Sequence, residues 1–333
     1  MPLLDIKNLR TTFSTQVGQV RAVRGLNLTV DYGESVGIVG ESGSGKSVSM
    51  LSVMGLLPVN AHVNADSIMF DGRELTTMDE REKRKMHGSE IGMVFQDPMT
   101  SLNPLHTIGM QLMEPIKLHM GLNKAQARER ALEMLKLVNI PSPESRLKQY
   151  PHEFSGGMRQ RVMIAIALAC NPKLIIADEP TTALDVTIQA QILELMQGLK
   201  NQLNTSIIMI THDLGVIADM CDEIIVMYAG SVCERGTVDE IFYNPRHEYT
   251  KGLLRSIPKL DTNHARLIPI SGSPVDLTNM PKGCPFAARC DKCMKICLTE
   301  RPQELTINDD HNAACWMNVK QVYDEAARGG VRL

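Results

Sequence analysis

Gly40-Glu41-Ser42-Gly43-Ser44-Gly45-Lys46-Ser47 fits G-x-x-x-x-G-K-[ST], the pattern of a phosphate-cradling loop. Ahead of it, residues 34–39 read as a short buried strand; behind it, residues 47–57 read as a mostly apolar helix. A chance Gly/Ser turn with a lysine would lack that strand–loop–helix context. The glycines let backbone N–H groups close around phosphate oxygens, and the helix N-terminus adds partial positive charge. Lys46 is placed to reach terminal phosphates, and the Ser47 hydroxyl suits Mg²⁺; the stretch from Gly40 through Ser42, Gly43, Ser44 and Gly45 to Val48 is the expected binding segment.

Working outward, residues 3–39 alternate apolar and polar, with Leu4, Ile6, Val23, Leu26, Leu28 and Val30 predicting an antiparallel sheet. Residues 66–72 predict a further strand with a turn, and 91–95 a compact apolar strand ending at Gln96. From 97 to 169 the pattern is helical; Ala127, Ala131, Met134, Leu135 and Val138 mark one such face, and Pro141, Pro143 and Pro151 interrupt the helical spacing beyond it. Strands at 173–178, 205–211 and 223–228 alternate with helices at 188–203 and 214–220. That alternation predicts an α/β fold with a mostly parallel sheet.

Composition limits the function. The chain has 333 residues, 43% of them hydrophobic, enough for a large core in one or two domains. A formal charge of −3 argues against a general nucleic-acid binder. The mixed-sign run 79–85 reads as a solvated helix face, and the 21 Met residues as flexible core filler. No apolar run is long enough to span a bilayer, and the N-terminus lacks signal-peptide features, so a cytosolic protein is expected, held at any membrane by another chain. Of eight cysteines, Cys170, Cys221 and Cys233 sit in apolar contexts and are expected as buried small hydrophobes. Cys284, Cys290, Cys293, Cys297 and Cys315 cluster near the end, which in a cytosolic chain suggests metal more than disulfides.

Four apolar residues, 174–177, end in Asp178-Glu179, an acidic pair where α/β sheets place catalytic groups. Asp178 suits Mg²⁺ through a bound water; Glu179 suits a base that deprotonates the attacking water. Gln96 ends another strand and is in a position to reach Mg²⁺ or that water. Ser155-Gly156-Gly157 opens a helix at 159–169 and is either a second anion site or an ordinary helix cap. His212 follows the strand 205–211, and Asp185, in Ala183-Leu184-Asp185, either contacts a partner or caps the next helix.

In this order, the loop, Gln96, Ser155-Gly156-Gly157, Asp178-Glu179, Ala183-Leu184-Asp185 and His212 resemble the ATP-binding subunits of ABC transporters, over about residues 1–255. The resemblance implies a P-loop NTPase core of ABC type with an antiparallel β-subdomain, a helical subdomain at about 97–169 and a small Cys-rich C-terminal extension at 256–333. It implies two such domains head to tail, with ATP between the phosphate loop of one and the Ser155 signature of the other. Phe13 would stack on adenine, His212 would sense the γ-phosphate, and Asp185 would lie at the dimer interface. The helical subdomain would receive a coupling helix from a membrane subunit. Phe154 and Met158 flank the signature where the family commonly has Leu and Gln, and Phe13 stands for the commoner Tyr.

The tail resembles the extension of peptide-importer ATPases, the dipeptide and oligopeptide group, and Met158 fits that group. In some members four cysteines hold a [4Fe–4S] cluster; carried over, the ligands are Cys284, Cys290, Cys297 and Cys315, with Cys293 extra. Four thiolates also suit Zn²⁺, and free buried cysteines need no metal at all. The expected function is the motor of an importer of di- or oligopeptides, with nickel or oligosaccharide as alternative cargo. It would work at the cytoplasmic face of a membrane with a related second ATPase chain, two permease subunits and an extracytoplasmic binding protein. Two other classes are disfavoured. A soluble ABC ATPase acting on nucleic acid carries two ATPase halves or a coiled-coil insert, and an iron–sulfur redox protein has no need of the hydrolytic set.

Overall fold

The computed structural model describes residues 1–16, 18–182, 184–257 and 269–319. Ala183 and, within the expected extension, residues 258–268 and 320–333 lie outside them. The chain divides into two compact units, one made of Met1–Leu3, Val30–Ser35 and Thr77–Ile210, the other of Leu4–Thr29, Val36–Thr76 and Thr211–Leu333.

In the first unit, strand Leu174–Asp178 lies parallel to Ile91–Val94 on one side and Ser206–Thr211 on the other, with Leu174 opposite Ile91 and Ser206. Every residue of Leu174–Asp178 and Ser206–Thr211 is buried. Such uninterrupted apolar runs belong to parallel strands covered on both faces. The helical stretch resolves into Pro98–Ser101, Ile108–Met120, Lys124–Leu137, Pro143–Arg146 and Gly156–Leu168. Asn123 opens Lys124–Leu137 with a capping box, its side chain accepting from the Ala125 and Gln126 amides. The face expected to be apolar is buried there through Ala127, Ala131, Met134 and Leu135. The mixed-charge run forms Glu80–Met86, which buries only Met86. Met99 and Met110 stay 62% and 53% exposed, so the methionines are not all core filler. Cys170 and Cys221 are half-buried rather than buried; the Cys170 thiol donates to the Pro115 carbonyl, a polar partner that apolar context did not suggest.

In the second unit, Leu4–Thr15 sits between Gly18–Val30 and Ser67–Phe70 in an antiparallel sheet, with Leu4 opposite Phe70. Strand Ala61–Asn64 also pairs with it, Ala61 opposite Phe13. That strand lacks a buried face, which is why alternation did not reveal it. Strand Ser35–Val39 runs parallel to Glu223–Tyr228, which pairs antiparallel with Ser231–Thr237. His311–Ala313 and then Leu305–Asn308 extend this arrangement. None of these last three strands was expected. Ser231–Thr237 reads as charged because it carries Glu234, which is fully buried; its carboxylate accepts from the Arg246 and His247 amides, and His311 Nε2 lies 2.8 Å away. The helix after the phosphate loop runs Lys46–Met54, shorter than expected, because Gly55 takes φ 64° and closes it. Among the described residues no helix is long and apolar enough to cross a membrane.

Candidate nucleotide-binding and hydrolysis site

The phosphate loop lies in the second unit, between strand Ser35–Val39 and helix Lys46–Met54. Gly40 and Gly45 hold φ of 153° and 98°. A Cβ at Gly40 would sit 2.2 Å from the Met227 carbonyl oxygen, and one at Gly45 2.4 Å from that of Ala22. Only glycine fits either place. The Lys46 ammonium is buried and donates to the carbonyls of Gly40 at 2.7 Å and Glu41 at 3.0 Å, so it lies folded along the loop it serves. Ser42 and Gly43 are exposed, Ser44 is buried, and Ser47 and Val48 are half-buried. The Glu41 amide donates to the Tyr249 hydroxyl at 2.7 Å, a brace from helix Glu248–Arg255 that no local pattern signals. Phe13 is half-buried near the end of its strand, and His212 is exposed just before helix Leu214–Met220.

The first unit holds the acidic pair. Asp178 ends its strand and is 6% exposed; Glu179 follows with φ 46°, the left-handed region that a non-glycine residue rarely enters. Its amide donates to the Ile210 carbonyl at 2.8 Å, which offsets part of that strain. Gln96 Nε2 donates to Glu179 Oε2 at 2.9 Å, and the Thr182 hydroxyl donates to the same oxygen at 2.8 Å. Gln96 and Glu179 are thus brought together as a pair, with Thr182 as a third member that residue type and spacing did not mark. Strained backbone and a doubly held carboxylate are what a positioned catalytic group looks like.

Ser155 is the N-cap of Gly156–Leu168, its hydroxyl accepting from the Met158 amide at 3.4 Å. Ser155 and Gly156 are exposed. A Cβ at Gly157 would meet Ile188 Cγ2 at 2.7 Å, so the third signature residue is small because helix Val186–Leu203 passes close to it. Asp185 is exposed and caps that second helix by accepting from the Ile188 amide at 3.0 Å. Capping leaves open the contact with a partner.

In the Cys-rich extension, Cys284 N–H donates to the Cys297 carbonyl at 2.8 Å, and the Met294 amide donates to Cys297 Sγ at 3.5 Å. Burial pushes the Cys284 thiol up to about 11 and the Cys290 and Cys315 thiols up to about 12; neighbouring cysteines in this set push each further the same way. Among the described residues, no three or more Cys, His, Asp or Glu side chains are gathered as a ready metal site. The expectation of bound iron–sulfur or zinc therefore has no preformed cage behind it.

The sequence matches the ABC transporter family over residues 23–182, and the family described as "Oligopeptide/dipeptide transporter, C-terminal region" over residues 233–297. It is 54% identical over 317 residues to the oligopeptide transport ATP-binding protein OppD of Bacillus subtilis, covering 95% of this chain and 88% of that protein. The dipeptide transport ATP-binding protein DppD of the same organism is 52% identical over 316 residues, covering 95% of this chain and 94% of its own length. Among solved structures, the ATP-binding cassette MJ0796, a dimer in a post-hydrolysis state bound to ADP and Pi, superposes with a TM-score of 0.63 at 31% identity. That match covers 71% of this chain and 98% of MJ0796. Both relatives are described for peptides, neither for nickel or an oligosaccharide. The chain belongs to the ABC transporter family of ATP-binding, ATP-hydrolysing subunits, in the branch that carries the oligopeptide/dipeptide-transporter C-terminal region.

Proposed function

We propose that this subunit powers the import of di- or oligopeptides. The observation that carries the cargo reading is its 50–54% identity, over nearly its whole length, to ATP-binding proteins named for oligopeptide or dipeptide transport. The partners implied are a related second ATPase chain, two permease subunits and an extracytoplasmic binding protein, with this chain peripheral at the cytoplasmic face. Residues 1–255 would form the ATPase and 256–333 the extension, with 97–169 receiving the permease. Exposed apolar side chains at Met99, Leu105, Met110 and Leu118 support that last assignment. The test is uptake of labelled di- and oligopeptides by cells lacking this chain. Restored uptake on complementation supports the reading; restored uptake of nickel or an oligosaccharide alone refutes it.

Local geometry supports the roles of Lys46, Gln96, Glu179 and Thr182, and the family resemblance supplies the others. Lys46 reaches the β- and γ-phosphates once its bonds to Gly40 and Glu41 are exchanged for phosphate oxygens. Loop amides from Ser42 to Ser47 hold the phosphates, and Phe13 packs on the base. Mg²⁺, when bound, would supply charge neutralisation; Ser47, Asp178 and Gln96 each carry the kind of oxygen donor it takes and would be its ligands. Glu179 takes the proton of the attacking water while Gln96 and Thr182 fix its carboxylate. His212 contacts the γ-phosphate, and Ser155, Gly156, Gly157 and Asp185 face the nucleotide of the second ATPase chain.

The extension is read as closed by a thiolate-bound group held by Cys284, Cys290, Cys297 and Cys315. Donor chemistry supports this: Cys297 lies near enough to Cys284, Cys290 and Cys315 to help push each of their thiols up, so the four share one neighbourhood in a Pro-rich segment. A [4Fe–4S] cluster fits four thiolates, Zn²⁺ being the alternative, and either would be structural. Anaerobically purified protein should then show broad visible absorbance that dithionite bleaches; a colourless preparation with stoichiometric zinc would replace iron with zinc.

A further inference from the structure

The phosphate loop contains a carboxylate, Glu41, one residue after Gly40. A negative charge there opposes an anionic ligand unless something neutralises it. Arg289, from the extension, does so. Its Nη1 and Nη2 donate to Glu41 Oε2 and Oε1 at 2.5 and 2.9 Å, a parallel fork that fixes the carboxylate in place. The Arg289 side chain is only 4% exposed. Its remaining donors are also engaged: Nε donates to the Ser271 carbonyl at 3.0 Å and Nη2 to the Ile270 carbonyl at 3.3 Å, while Nη1 lies 3.4 Å from the Tyr228 hydroxyl. The guanidinium also lies over the rings of Tyr228 and Phe286, 5.8 and 5.9 Å from their centroids.

Glu41 passes this hold on to the loop. Its amide is bonded to the Tyr249 hydroxyl, and its carbonyl accepts from the Lys46 ammonium. The residue that Arg289 grips is thus bonded to the lysine that meets the phosphates. Pro274, Val275 and Leu277 line a crevice with Glu41, Ser42, Gly43 and Ser44, so the extension borders the loop at a second place. Arg289 sits in the turn Ala287–Arg289, directly before Cys290.

We propose that Arg289 is a positioning residue for the ATP site: by neutralising Glu41 and pinning its backbone, it makes the affinity of the phosphate loop for ATP depend on the folded Cys-rich extension. This rests on the reading that Lys46 and its loop hold the phosphates. A guanidinium replaced by an uncharged side chain leaves Glu41 charged and unpaired beside the ligand. A lysine restores the charge but not the fork.

The test is calorimetric binding of a non-hydrolysable ATP analogue with Mg²⁺ to the full-length chain. Arg289→Met should weaken binding about tenfold, the range of one charge-assisted pair. Adding Glu41→Gln to Arg289→Met should recover most of that loss, because the uncompensated charge is gone. Arg289→Lys should fall between the two, and it keeps the proposal testable if Arg289→Met does not fold. In the assembled transporter Arg289→Met should raise KM for ATP about as much while kcat changes little. Unchanged affinity in Arg289→Met, or in Arg289→Lys if that is the variant that folds, overturns the proposal. So does a double variant as weak as Arg289→Met, since the proposal requires that removing the uncompensated Glu41 charge restore affinity. Lys46→Ala is the separate control: if it binds the analogue as the parent does, the phosphate reading itself falls, whatever the Arg289 variants do.

Discussion

Gln96 Nε2 donates to the Oε2 of Glu179 at 2.9 Å, and it does so although 83 residues separate them. The Thr182 hydroxyl donates to the same oxygen, so one carboxylate oxygen is held twice. Replacing Glu179 by Gln keeps the shape and removes the proposed base. The assembled transporter should lose about 10²–10⁴ of its turnover while still binding ATP. Binding without turnover should accumulate a closed ATP-bound dimer, visible by size exclusion; undiminished phosphate release would remove Glu179 from its role.

Gly45 tests the loop itself. At φ 98°, with the Ala22 oxygen 2.4 Å from any added Cβ, Gly45→Ala must distort the loop or push the neighbouring strand. A cost of about 1–3 kcal/mol is expected from crowding and strain together. Thermal unfolding should register it, and ATP binding should fall by more than tenfold because the amides no longer converge. A protein of normal stability and affinity would show that the loop geometry is not what holds the nucleotide.

Acid should loosen the second unit through His247. Burial, with Lys251 adding to it, pushes this imidazole down to about 4. Its Nδ1 accepts from the Tyr249 amide at 3.0 Å, capping helix Glu248–Arg255, and protonation would abolish that cap. Because the folded value lies below the ordinary 6.5, the neutral form is favoured by folding. The stability is present above pH 6.5 and is lost as pH falls from 6.5 towards 4, up to about 3 kcal/mol. His247→Asn, which can still cap, should flatten the pH dependence of denaturant unfolding over that interval. A variant with the parent's slope would assign the acid lability elsewhere.

The exposed apolar residues of the helical stretch make a prediction about coupling. Leu105 is 81% exposed, so Leu105→Glu should leave the melting temperature of the isolated chain within about 2 °C of the parent's. If this face receives the permease, the same change should weaken assembly and lower transport in reconstituted vesicles severalfold. Normal transport by the variant would move the docking face away from Leu105.

Much of the fold and site was legible locally. The phosphate loop, the acidic pair and the Ser155 cap are each a few consecutive residues whose chemistry comes from type and spacing. The parallel strands showed as apolar runs because both faces are buried. What escaped depends on distant partners. Strand Ser231–Thr237 was missed because it carries Glu234, whose burial depends on partners outside the strand, His311 and the amides of Arg246 and His247. Strand Ala61–Asn64 is mostly exposed, so no pattern betrayed it. Thr182 gave no sign by type alone, and Arg289 stands 248 residues from Glu41, beyond any local rule. Helix Lys46–Met54 ended early because Gly55 turns left-handed, a signal present in the sequence but outvoted by the apolar residues after it.

The central claim is that this chain binds ATP at Lys46 and spends its hydrolysis on transport. It is tested most directly by phosphate release from the reconstituted importer, with this subunit either intact or carrying Lys46→Ala and the second ATPase unchanged. The intact complex should release phosphate faster when peptide-loaded binding protein is added, and the Lys46→Ala complex should show at most about a hundredth of that stimulated rate. Stimulated release at the parent's rate from the Lys46→Ala complex would contradict the account.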